Sequence, residues 1–99
     1  MTILSPTDCT TMAEVRAGVD ALDRELVALL RRRFDYMDAA ARIKPDRGQV
    51  RDEGRKAQVI ANARAAAADA GLPDADIAEL WDRLVEASIA YELAAFDRR

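Results

Sequence analysis

The stretch MAEVRAGVDALDRELVALLRRR, residues 12–33, decides the fold of this 99-residue chain. Its apolar residues recur at alternating intervals of three and four, which is the spacing of one face of an α-helix. We call this face the apolar stripe; it consists of Met12, Val15, Val19, Leu22, Leu26 and Leu29. Thr10 or Thr11 can cap the helix with Glu14 as capping-box partner, and no proline follows until Pro45. The pattern therefore predicts a helix of about 33 residues, roughly 50 Å long.

The segment KPDRGQ, residues 44–49, ends this helix, because proline disfavours a helical conformation in the residue before it. A second helix is predicted from Arg51 or Asp52 to about Ala70. Gly71 then suits the position just beyond a helix end.

A third helix is predicted to open at Asp76, with Glu79 as its capping-box partner. Its apolar face comprises Ile77, Leu80, Trp81, Leu84, Val85, Ile89, Ala95 and Phe96. Two polar residues, Ser88 and Glu92, fall within this face by helical periodicity. Glu92 is the more informative of the two, since carboxylates are rarely buried unless they are paired.

The lengths of these helices predict the architecture. Two shorter helices cannot cover an apolar stripe that runs along so long a rod, so the uncovered part must meet another chain. The predicted fold class is therefore all-α, with three helices per chain, one long and two shorter, in an intertwined helical homodimer. Residues 1–99 are predicted to form a single helical domain, with residues 1–9 as an N-terminal extension.

Composition excludes several functional classes. The chain has no histidine and a single cysteine, Cys9, which argues against a zinc site and rules out a disulfide within the chain. A net charge of −3 argues against nucleic-acid binding. No apolar run is long enough for a transmembrane helix, and no secretory leader is visible. We expect a cytoplasmic protein that binds no metal, membrane or nucleic acid.

Two cations interrupt the apolar pattern of the first helix. Arg33 occupies the next position of the apolar stripe, and Lys44 lies eleven residues later, about three turns on and on nearly the same side. Small or flexible residues lie between them, namely Met37, Ala40 and Ala41. This arrangement predicts a pocket for a small dicarboxylate. In an antiparallel dimer, Arg16 of one chain could approach this pocket in its partner.

Simpler interpretations exist for each polar residue. Arg33 could extend to solvent or pair with a carboxylate, and Glu92 could be the ion-pair partner of Arg33 or Lys44. Ser88 could be a small residue at a close helix crossing, and Arg31 and Arg32 belong to a solvated face. The polar residues on the apolar faces are harder to explain in this way when they are taken together, because as a group they would form a cationic pocket with one titratable carboxyl group.

These residues resemble the all-helical chorismate mutases and the related isochorismate-pyruvate lyases. The resemblance covers about residues 9–96. It is carried by VRAGVDALDRELVALLRRR (15–33), AARIK (40–44), VRDEGR (50–55) and EASIAYE (86–92). The family implies a homodimer with two equivalent active sites that act on a dicarboxylate substrate, chorismate or isochorismate.

The resemblance also implies roles for individual residues. Arg33 would hold one substrate carboxylate and Arg16, supplied by the partner subunit, the other. Lys44 and the residue at position 92 would donate hydrogen bonds to the ether oxygen of the breaking C–O bond. Many relatives have glutamine at that position, so Glu92 would have to be protonated to donate.

Three further residues are implied to contact the substrate. Asp52 would meet the ring hydroxyl, and Arg55 and Ser88 would lie beside the bound substrate. Lys56 stands where relatives often carry glutamate near the ring hydroxyl.

The leading hypothesis is an isomerase, a chorismate mutase that forms prephenate in the shikimate pathway of aromatic amino acid biosynthesis. This intramolecular rearrangement requires no nucleophile, metal or cofactor, which suits a chain without histidine. The first alternative is an isochorismate-pyruvate lyase that gives salicylate and pyruvate. The N-terminal stretch with its cysteine resembles that of the lyases. The segment VRDEGR, in contrast, resembles that of the mutases. The second is a helical dimerisation module without catalytic activity.

Overall fold

The computed structural model describes residues 2–99, and all of the regular secondary structure in this range is helical. Its α-helices are α1 (Met12–Ile43), α2 (Glu53–Asp69) and α3 (Asp74–Asp97). Short 3₁₀ turns occupy Pro6–Asp8 and Arg47–Gln49. The predicted all-α class with one long and two shorter helices is confirmed.

Helix α1 begins where its capping residues predict. The Glu14 amide donates to Thr11 Oγ1 at 3.2 Å, while Glu14 Oε1 accepts from the Thr11 amide at 3.0 Å. The Thr10 amide also donates to Glu14 Oε1, and together with the Thr11 side chain it holds the pKa of Glu14 below its usual value. At the other end, α1 stops at Ile43, just before Lys44 and Pro45. The predicted bounds of the long helix are confirmed.

Helix α2 is defined by caps at both ends. The Asp52 carboxylate accepts a hydrogen bond from the Arg55 amide at 3.0 Å, which makes Asp52 the N-cap. At the other end, the Leu72 amide donates to the Ala67 carbonyl at 2.8 Å. Gly71 has a φ of 72°, so the helix ends in a Schellman motif, as the glycine predicts.

Helix α3 begins earlier than its sequence predicts. It starts at Asp74, directly after Pro73, which is the N-cap and forms no side-chain cap. The predicted start at Asp76 with a capping box to Glu79 is therefore wrong. Pro73 has φ −68° and ψ 94°, the extended conformation usual for an N-cap residue, and the Ile77 amide donates to its carbonyl at 3.1 Å. The Asp74 carboxylate is instead bound by Arg64 of α2 at 3.0 Å.

The described chain divides into two compact units, and the boundary lies within α1 between Asp35 and Tyr36. In the second unit, Tyr36–Arg99, α2 packs against α3. A small core forms around Val50, Val85 and Ile89. Partly buried side chains surround this core, namely Val59, Ile60, Leu93 and Phe96. The second unit therefore has a hydrophobic core of its own.

In the first unit, the apolar stripe of α1 is exposed. Leu22, Leu26 and Leu29 are each more than half exposed, at 56%, 55% and 54%. Beside the stripe, residues 3–9 form the wall of an apolar groove of about 310 Å³ that reaches α1 at Val15 and Val19. Within residues 2–99, no helix is both long enough and apolar enough to cross a membrane.

Candidate active site

The centre of the candidate site is a contact between Lys44 and Glu92. Lys44 Nζ lies 2.7 Å from Glu92 Oε2. The Glu92 side chain is only 5% exposed, whereas that of Lys44 is 29% exposed. A carboxylate so deeply buried requires a partner, and the lysine amine supplies it while keeping one side open to solvent. Of the two ion-pair partners that the sequence left open for Glu92, Arg33 and Lys44, the structure shows a contact with Lys44.

Helix α3 places Ser88 one turn before Glu92. Both side chains belong to the buried face of α3, beside Val85 and Ile89. The Ser88 hydroxyl donates to the Leu84 carbonyl at 2.7 Å. Two polar groups thus lie within an otherwise apolar face, one helical turn apart, as their spacing predicts.

A contact that the sequence does not reveal joins α3 to the last turns of α1. The Tyr91 hydroxyl donates to Asp38 Oδ2 at 2.9 Å, and the contact is partly buried. Tyr91 precedes Glu92 in the chain, and Asp38 lies six residues before Lys44. Their closeness in sequence to Lys44 and Glu92 is the one signal that could have drawn attention to this pair, because contacts between distant helices leave no local pattern.

The remaining predicted residues of the second unit lie at the start of α2. Asp52 caps that helix, and the Arg55 guanidinium donates to Gln58 Oε1 at 2.7 Å. Both residues are exposed, and their hydrogen bonds stay within α2 and its cap. The structure therefore brings Lys44 and Glu92 into contact, while Asp52 and Arg55 form contacts of their own.

Lys56 has a structural role that its sequence context did not indicate. Its Nζ lies 3.0 Å from Asp82 and 2.9 Å from Glu86, both on α3. Glu86 is also bound by two nitrogens of Arg51, at 2.8 and 3.0 Å. We call Arg51, Lys56, Asp82 and Glu86 the α2–α3 ion network. It joins the start of α2 to the middle of α3, so Lys56 binds protein carboxylates.

The α2–α3 ion network strongly affects Glu86. Hydrogen bonds from Arg51 and then from Lys56 lower its pKa from 4.5 to about 2. The same contacts raise the pKa of Lys56. The i, i+4 spacing of Asp82 and Glu86 on α3 was the sequence signal for this cluster, but its cationic partners could not be identified from spacing alone.

The cations of the first unit lie on α1. Arg33 is half-buried, and Arg16 is exposed. Arg31 and Arg32 are both exposed, and Arg31 pairs with Asp35 at 3.1 Å. Their assignment to a solvated face is confirmed. Among the described residues, no group of three or more acidic or cysteine side chains could hold a metal ion.

The comparison with known proteins identifies the family. The family model for chorismate mutase type II matches residues 15–93, which is most of the chain. The chain belongs to the chorismate mutase type II family. An isochorismate pyruvate lyase from Pseudomonas aeruginosa is 29% identical over 89 residues, which cover 90% of this chain and 88% of that protein. The predicted membership of the family that includes mutases and lyases is confirmed.

The pKa of Glu86 predicts how stability depends on pH. A carboxyl group with a lowered pKa in the folded state stabilises the fold above about pH 4.5, and this contribution is lost as the pH falls towards 2. We expect Glu86→Gln to be less stable than the wild type at neutral pH. This difference in the free energy of unfolding should shrink as the pH falls from about 4.5 towards 2. Urea denaturation at a series of pH values measures it. Glu79→Gln is the matched control, because Glu79 is exposed on α3. A difference that stays constant with pH would contradict this assignment.

Proposed function

We propose that this protein is a chorismate mutase, which rearranges chorismate to prephenate. The observation that supports this most directly is the contact between the half-buried Lys44 amine and the buried Glu92 carboxyl group. The chain belongs to the chorismate mutase type II family, which supports the proposal that this pair acts on one substrate oxygen. No residue of the pair needs to form a covalent bond with the substrate.

The chemistry of the rearrangement matches this pair. In the [3,3] rearrangement the C–O bond of the enolpyruvyl ether breaks as a new C–C bond forms, and negative charge develops on the ether oxygen. The Lys44 amine donates a hydrogen bond to that oxygen. Protonated Glu92 donates a second one. Donors fixed in position before the reaction stabilise the transition state more than the ground state, with each worth about 3–4 kcal/mol in comparable sites.

The substrate carboxylates require cations elsewhere. We propose that Arg33 binds one carboxylate through its forked guanidinium group, and that Arg16 of the partner subunit binds the other. Together the two arginines would fold the enolpyruvyl arm over the ring, which is an orientation effect. This assignment extends the family resemblance to residues of α1 and requires the homodimer.

Asp52, Arg55 and Ser88 are proposed to complete the substrate-binding site. Asp52 Oδ1 already accepts the cap hydrogen bond from the Arg55 amide. A carboxylate has several further lone pairs, so Asp52 can accept the ring hydroxyl of the substrate while it remains the N-cap. Arg55 and Ser88 would contact the rest of the substrate.

The second candidate function is an isochorismate-pyruvate lyase, which eliminates pyruvate and leaves salicylate. The relative from Pseudomonas aeruginosa, an isochorismate pyruvate lyase, favours it. Incubation of the purified protein with each substrate distinguishes the two functions. Prephenate from chorismate supports the mutase, whereas salicylate and pyruvate from isochorismate support the lyase. A protein that converts neither substrate would refute both.

The exposed apolar stripe supports the proposed homodimer. Leu26 lies in the middle of the stripe, so we expect Leu26→Asp to shift the protein towards monomer in sedimentation-velocity experiments, because a charge would be buried at the interface. Ala28→Asp is the control, since Ala28 lies about 200° away around α1. Equal sedimentation of the two variants and the wild type would rule out an interface at the stripe.

Substitution of the proposed catalytic cations should abolish turnover. We expect Lys44→Ala and Arg33→Ala each to lower kcat/KM by roughly 10²-fold or more, because each removes a charged donor from the transition state. Arg31→Ala and Arg32→Ala serve as controls and should stay near wild type, because both side chains are exposed. The assay is the loss of chorismate absorbance. A helical module without catalytic activity would instead show no turnover in any of these proteins.

The proposed role of Glu92 predicts a pH dependence. Only the protonated carboxyl group can donate to the ether oxygen, so turnover should fall as the pH rises and the protonated fraction declines. Glu92→Gln keeps a donor at every pH, and its pH–rate profile should therefore be flatter. Rates with chorismate between about pH 5 and 9 test this. Superimposable profiles for the two proteins would exclude a donor role for Glu92.

A further inference from the structure

One carbonyl group in the last turn of α1, that of Ala41, receives no hydrogen bond from a main-chain amide four residues later. In a continuing helix, the carbonyl of Ala41 would accept a hydrogen bond from the amide four residues later. That residue is Pro45, which has no N–H. Arg99, which follows α3, supplies the donor instead, because its Nη1 lies 3.0 Å from the Ala41 carbonyl oxygen. This is a long-range cap on the end of α1.

The same guanidinium group also binds the residues that follow α1. Arg99 Nη1 donates to the Lys44 carbonyl at 2.6 Å, and Nη2 donates to the Pro45 carbonyl at 3.3 Å. A cation at this end of a helix is also favoured by the helix dipole. Arg99 therefore fixes the main chain at the point where α1 gives way to the loop.

Arg99 is itself held in place by residues near the end of α3. Its guanidinium carbon lies 3.8 Å from the ring centroid of Phe96, which packs against the core of the second unit. Beside it, Arg47 of the loop binds Asp97 through two hydrogen bonds, at 2.9 and 3.3 Å. The Arg47 contact lowers the pKa of Asp97, so the carboxylate stays ionised. We call Arg47, Phe96, Asp97 and Arg99 the α3 clamp.

The α3 clamp and Glu92 hold Lys44 from two directions. Its carbonyl oxygen is bound by Arg99 and its amine by Glu92. Glu92 lies on α3, and Arg99 lies two residues beyond its end. The main chain of Lys44 sets the point and the direction from which its four-carbon side chain leaves, and Glu92 holds the amine at the other end.

We propose that Arg99 is a positioning residue for Lys44. It acts through the main chain of Lys44 and does not touch the substrate. The inference rests on the proposed function, in which the Lys44 amine donates to the ether oxygen. Misplacement of such a donor weakens transition-state stabilisation, whereas the substrate carboxylates are proposed to be held by other residues. Loss of Arg99 therefore lowers kcat more than it changes KM.

Three variants of the protein test this proposal. We expect Arg99→Ala to lower kcat about tenfold with KM changed by less than about twofold. Arg99→Lys should recover part of the loss, because an ammonium group can bind one carbonyl but cannot span all three. Arg98→Ala is the matched control, a neighbouring exposed arginine, and should match the wild type. Equal kcat values for Arg99→Ala and Arg98→Ala, with both folded by circular dichroism, would overturn the proposal.

Hydrogen exchange tests the α3 clamp independently of the proposed function. The amides of Lys44, Gln49 and Val50 donate main-chain hydrogen bonds in this region. They should exchange faster in Arg99→Ala than in Arg98→Ala, whether or not the wild type acts on chorismate. Unchanged exchange would overturn the clamp itself. A wild type that converts neither chorismate nor isochorismate would refute the proposed function, and hydrogen exchange would still decide whether Arg99 orders Lys44.

Discussion

The ion pair between Lys44 and Glu92 constrains the arrangement of the second unit. Glu92 lies on the buried face of α3, where an unpaired carboxylate would be strongly destabilising. The end of α1 must therefore bring an amine to this turn of α3, and the loop that follows must start from there. Asp38 and Tyr91 support the same approach by joining the last turns of α1 to α3. The need to pair this buried carboxylate therefore determines where the end of α1 meets α3.

Two glutamates on α3 lie in different environments. Glu86 is partly exposed and is bound by Arg51 and Lys56, which lower its pKa to about 2. Glu92 is buried and its amine partner is Lys44. A carboxylate bound by several cations is suited to hold α2 against α3. Glu92, buried and paired with a single amine, holds the end of α1 against α3 and is the carboxyl group that we propose faces the substrate.

The start of α3 and the position of Lys56 show where prediction from sequence fails. A capping box was predicted at Asp76, but Pro73 already has the backbone conformation that begins a helix, and Asp74 pairs with Arg64. Capping signals compete locally, and a short motif does not reveal which of them prevails. Lys56 was identified as a departure from relatives, but its partners lie on α3, about 30 residues away. Such distant pairing leaves no periodic signal in the sequence.

The sequence by itself determined the helical class, both ends of α1 and the glycine end of α2. These features depend on interactions within a few residues, which residue type and spacing encode directly. It also identified Glu92 as a buried group in need of a partner, because an apolar face leaves a carboxylate few alternatives. Only the tertiary structure decided that Lys44 is bound at both its amine and its carbonyl, by Glu92 and Arg99. Those contacts join residues about 50 positions apart, and the packing of helices, not local spacing, brings them together.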